Sequence, residues 1–89
     1  MRAIVTVSSK DAVGIIAKVS TCLADNNVNI SDISQRVMNG FFTMMMLVEL
    51  DGSKVPFAEL SDKLQTLAKE NGLDIRIQRE DIFNSMYRI

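Results

Sequence analysis

Hydrophobic and polar positions alternate from Arg2 to Ser8, with Ala3, Val5 and Val7 on one side and Ile4, Thr6 and Ser8 on the other. Such a period of two predicts a half-buried β-strand. After Ser9-Lys10-Asp11 the apolar spacing becomes helical: Ile15, Ile16, Val19, Cys22 and Leu23 line one face until Asn26-Asn27 stops the run. Val28 to Val37 returns to strand chemistry, and its alternation slips by one residue between Ile30 and Ile33, as a bulge at Ser31-Asp32 produces. Asn39-Gly40 is a hairpin-turn dipeptide. Phe41 to Leu50 is apolar at nearly every residue, which predicts a central strand covered on both faces.

Asp51-Gly52-Ser53 breaks that strand, and Pro56 suits an early helical position. Phe57, Leu60, Leu64, Leu67 and Ala68 then repeat at helical spacing up to Gly72, a natural residue just past a helix end. Leu73, Ile75 and Ile77 alternate with Asp74, Arg76 and Gln78, predicting a fourth strand. In the tail, residues 81–89, Ile82, Phe83, Met86 and Ile89 share one face of a short helix. The order βαββαβ with right-handed crossovers predicts an α+β, ferredoxin-like sandwich: a four-stranded antiparallel sheet, two helices on one face, and a short C-terminal tail. The 89 residues hold one core, so a single domain is expected, with residues 1–80 as its body and 81–89 as the tail.

Composition narrows the functional classes. A net charge of -1 argues against a binder of phosphate backbones, so nucleic acid is not an expected partner. The longest apolar stretch falls far below the ~20 residues of a membrane helix, and the first residues lack the features of a signal peptide. A cytoplasmic location with no membrane contact is expected. The chain has no His and a single Cys, so neither an intramolecular disulfide nor a Cys-rich zinc site is expected. Asp11, Asp25 and Asp32 are scattered among turn-forming residues, which suits a solvated surface better than acid-base catalysis. Cys22 falls on the apolar side of the first helix and reads as an unreactive thiol turned with Val19 and Leu23 toward the sheet. Met44 to Met46 read as core packing. No catalytic residue, metal or cofactor is expected, and the chain is read as a non-enzyme.

Two segments remain: the loop Lys10-Asp11-Ala12-Val13-Gly14-Ile15, and Asn27-Val28-Asn29-Ile30 entering the second strand. By local chemistry alone Asp11 is an N-cap-like residue and Gly14 a close-approach position. Asp-x-x-Gly-Ile opening the first helix and Asn-Val-Asn-Ile opening the second strand, in a βαββαβ chain, resemble an ACT domain over Ala3 to about Arg79. The ending Asp81 to Ile89 is similar to that of a short stand-alone ACT family, whose members more often carry His where this chain has Tyr87.

The resemblance implies a regulatory domain that binds a small molecule, an amino acid above all, between two subunits of a homodimer. Carried over by position, it implies a ligand site of Ser9, Asp11, Ala12, Val13, Gly14, Ile15, Asn29 and Ile30. Asp11 can pair with a ligand ammonium, and helix N-terminal amides near Gly14 can receive its carboxylate. A partner enzyme or regulator would read the ligand state. The alternative is a dimeric protein-interaction module without a ligand. A homodimer is also expected because the helix-free sheet face would otherwise expose Ile4 with Phe41, Met45 and Leu47, or else the opposite set.

Overall fold

The computed structural model describes the backbone of residues 1–10 and 13–87, and side chains as far as residue 85. Its elements are β1 (Arg2–Ser9), α1 (Ile15–Asp25), β2 (Asn29–Met38), β3 (Phe41–Glu49), α2 (Phe57–Asn71), β4 (Asp74–Arg79) and α3 (Glu80–Tyr87). The strands form one sheet in the order β2-β3-β1-β4, with every neighbouring pair antiparallel. This is the ferredoxin-like α+β architecture that the order of elements predicts.

Alternation settles which side of each strand meets the helices. Ala3, Val5 and Val7 are buried, as are Phe42, Met44, Met46 and Val48 of β3 and Ile75 of β4. Val19 and Leu23 of α1, with Leu60, Leu64 and Ala68 of α2, close this core from above. Burying a Leu, Val or Met side chain contributes about 1.5–3 kcal/mol, so this single layer is the main favourable term in folding.

The slip in β2 is a real irregularity. Ile30 pairs with Val48 but Asp32 pairs with Leu47, leaving Ser31 as the extra residue. From there Ile33 and Val37 stand beside Met46 and Phe42 on the helix side, yet remain 44% and 66% exposed. The core helices do not reach over this edge strand. Asn39 and Gly40, with φ of 53° and 76°, make the tight β2–β3 turn, whose two positive φ values suit the right-handed twist of the strands.

Three expectations need correction. β3 is central, but only its helix side is covered: Phe41 and Met45 are exposed on the other face, with Ile4 and Leu47 half-buried beside them. Pro56 is the N-cap of α2, with extended backbone, and helical geometry starts one residue later. The terminal helix begins at Glu80, where Arg2 Nη2 lies 2.9 Å from Glu80 Oε1. Ile82 of that helix is exposed, and the side chains of Met86 and Ile89 lie outside the described residues.

Candidate functional site

The β1–α1 junction owes its shape to one glycine. Gly14 is the N-cap of α1 at φ 73°, and no side chain caps this helix end. Its carbonyl accepts the Lys18 N–H at 3.0 Å. A Cβ placed on Gly14 would meet only Lys18 Cε, at 4.0 Å. The glycine is therefore required by its left-handed backbone and not by close approach. Gly14→Ala should cost about 1 kcal/mol, read as a lowered denaturation midpoint with an unchanged slope.

Around this junction, Ser9 ends β1 nearly buried on the helix side, while Val13 is exposed. Ile15 is committed to the core, so the ligand role that the resemblance gave its side chain does not fit; only its backbone is available. Asp11 and Ala12 lie outside the described residues, and the N-cap position expected of Asp11 belongs to Gly14. A hollow of about 450 Å³ lies between Ser8, Ser9, Lys10 and Phe41 on one side and Asn71 to Asp74 on the other.

The second segment is a row of asparagines with separate tasks. Asn26 Nδ2 donates to the Cys22 carbonyl at 2.7 Å, and Asn27 Nδ2, from a residue at φ 58°, donates to the Gly52 carbonyl at 2.8 Å. Asn29 Nδ2 donates to Glu49 Oε2 at 2.9 Å, and Ser31 Oγ donates to the same oxygen at 2.9 Å. A carboxylate only accepts, so it orients the Asn29 amide with nitrogen toward Glu49 and oxygen outward. Ile30 is half-buried against the core. Asn27, Asn29, Glu49, Asp51 and Gly52 border a hollow of about 470 Å³.

The hydrogen bonds from Asn29 and Ser31 hold the Glu49 carboxyl below its ordinary range, with the positive charge of Arg2 adding a smaller effect in the same direction. A depressed folded pKa means that this stabilisation is present above the unfolded pKa and is lost as the pH falls through the folded one. The Glu49 side-chain carboxyl resonance should therefore titrate at lower pH than that of a free glutamate, and Asn29→Ala should raise its midpoint. An unmoved midpoint would rule out the pairing. Ser31 and Glu49 escaped sequence reasoning, because their meeting depends on the β2–β3 register and on the bulge.

The two segments lie at opposite ends of the sheet. Ser9 pairs with Phe42, whereas Asn29 pairs with Glu49, which is level with Arg2 at the far end of β1. Seven residues at about 3.3 Å each separate these levels by roughly 23 Å. One chain does not bring Ser9 and Gly14 together with Asn29 around a small molecule.

Cys22 sits half-buried in a groove between α1 and α2, with Lys18, Asp25, Lys63 and Leu67 around it, and so is less enclosed than the helical phase suggests. Burial pushes its thiol pKa up; Lys63 opposes the shift and Asp25 adds to it. Little thiolate forms near neutral pH, so a small thiol reagent should label native protein far more slowly than unfolded protein. Equal rates would contradict this environment. Among the described residues no group of three or more Asp, Glu or Cys could hold a metal ion. No helix among them is long and apolar enough to cross a membrane.

Residues 2–78 match the ACT domain family, and the chain belongs to that family. It is similar along its whole length to a UPF0237 protein of Clostridium perfringens, with 49% identity over 100% of both chains. An ACT domain protein from Streptococcus pneumoniae superposes with a TM-score of 0.83, at 41% identity over 98% of each chain. The regulatory subunit of aspartate kinase from Thermus flavus superposes with a TM-score of 0.65, at 25% identity over 88% of this chain and 51% of that one.

Proposed function

We propose that this chain is a cytoplasmic, non-catalytic regulatory domain that binds an amino acid at the seam between two copies of itself and passes the ligand state to a partner enzyme or regulator. The observation that carries the reading is the separation of the two ligand segments. β2 has a single neighbour, β3, so one row of its backbone N–H and C=O groups is open to a further strand. A twofold axis through the middle of β2, perpendicular to the sheet, pairs it antiparallel with its copy and keeps all core helices on one side. The start of one β2 then lies level with the end of the other. The partner's Asn29 comes to the end of the sheet that carries Ser9, Asp11, Ala12, Val13 and Gly14, with the Ile15 and Ile30 backbones beside the two segments. The exposed Ile33 and Val37, with Ile16 of α1, gain cover from the same pairing.

The chemistry suits a zwitterion. Backbone amides at the uncapped start of α1 favour a carboxylate, and Asp11 or an Asn29 oxygen favours an ammonium. Asn29 exchanges its Glu49 bond for the ligand on binding. Likeness to the regulatory subunit of aspartate kinase supports regulation as the role. The test is a thermal-shift panel of the common amino acids on the intact chain, with its mass measured in parallel. A dimer that no amino acid stabilises would favour an interaction module without a ligand.

A further inference from the structure

The helix-free sheet face is not used by the seam just described. Paired residues share a face, so Asp32, Ser34 and Arg36 of β2 join Leu47, Met45 and Thr43 of β3, and then Ile4, Thr6 and Ser8 of β1. Phe41 and Met45 are exposed here, and a groove of about 270 Å³ runs between Ile4, Asp32, Ser34, Met45, Leu47 and Glu80. We propose that two edge-paired dimers stack through these faces, so that a second copy of the chain covers Met45 and Leu47 and the assembly is a tetramer. This rests on the edge pairing of the proposed function.

Symmetry and charge select this occupant. An assembly that uses both contacts closes only if the stacking axes lie in the sheet plane and pass through the edge dyad, which gives a dimer of dimers. One of those axes crosses the strands level with the middle of β2, where Ser34 stands opposite Met45. Arg36 and Asp32 flank Ser34 at equal distance on the same face. The axis therefore lays Arg36 of one sheet over Asp32 of the other, and Asp32 over Arg36, with Met45 packing on its own copy between them. Further out the axis passes Arg76, which is level with Thr6; its Nε lies 3.9 Å from Asp74 Oδ1, so each Arg76 carries its own counter-charge. A surface whose charges complement themselves under a twofold axis is suited to a copy of itself.

Area points the same way. Four strands at about 4.8 Å spacing and roughly 30 Å length present about 550 Å², so two single chains would bury only about 1,100 Å² in all, close to the lower limit for a stable interface. Two eight-stranded sheets bury about twice that. Stacking therefore follows edge pairing, and a ligand that tightens the seam also favours the tetramer.

Sedimentation velocity on the intact chain tests this. The mass of four chains is expected for the native protein, and the mass of two for Met45→Glu, with any amino-acid thermal shift retained. Arg36→Asp should also give two chains, because it sets like charges face to face, and Arg36→Asp with Asp32→Arg should restore four. A native mass that stays at one or two chains overturns the stacking, as does a tetramer indifferent to both Met45→Glu and Arg36→Asp. Gln35→Pro, which blocks the β2 edge, separates the two readings: it should leave single chains. A dimer in that variant that Met45→Glu then dissolves would remove the edge pairing while the open face still takes its copy.

Discussion

At 100 times its dissociation constant, the cognate amino acid should raise the melting temperature by roughly 10 to 20 °C. Binding to the folded form alone adds about 2.7 kcal/mol at that concentration. In a chain of this size each kcal/mol moves the midpoint by about 4–8 °C. Asn29→Ala should abolish the shift and leave the dimer intact, since it removes two hydrogen-bonding groups but little apolar surface. The control is internal: Asn29 is exposed and bonded to an exposed carboxylate, so its loss should alter the stability of the unliganded fold only slightly. No shift with any amino acid at tens of millimolar (order of magnitude), or a full shift in the variant, would falsify the site.

Truncation of the core has an effect of similar size and opposite sign. Leu64 is fully buried on α2, in the cluster with Leu60 and Ala68 that closes the helix layer onto the strands. Leu64→Ala should cost about 2–5 kcal/mol, combining lost burial with the cavity left behind. A domain of this length has roughly 4–13 kcal/mol in total, so the variant gives up a large share and should melt well over 10 °C lower. Half-buried Leu67 on the same helix should cost clearly less when changed to Ala. Chemical denaturation with an unchanged slope checks both; equal losses at the two positions would mean that α2 does not face the sheet as described.

Most of the fold was legible because period two and period 3.6 alternate cleanly along the chain. Even the bulge was visible, since one inserted residue flips the face of everything after it. β3 was misjudged for a physical reason. A strand with apolar residues on both faces reads the same whether a second layer comes from its own chain or from elsewhere, so Phe41 and Met45 looked like core. The ligand segments were recognisable by their residues, and Gly14 by its turn, but their separation was not. β1 carries the chain to one end of the sheet and α1 carries it back, so neighbours in a motif become residues roughly 23 Å apart. The Asn29, Ser31 and Glu49 cluster was hidden for a related reason: two residues join a third some twenty positions away, and only strand register decides which one.

The strand order has a consequence for how the molecule assembles in time. β2 and β3 are joined by a two-residue turn and can zip together as a local hairpin within about 1–10 μs. β1 lies between β3 and β4, so its partners stand far along the chain: Arg2 meets Glu49, and Ala3 meets Arg79. During synthesis the first strand must therefore wait for the last one, through the making of both core helices, before its second edge is paired. Such non-local closure is slow and concentrates the folding barrier in docking β1. Until then its Val5 and Val7 are open to any unpaired strand nearby, and a chain interrupted before residue 74 should be the most prone to clump.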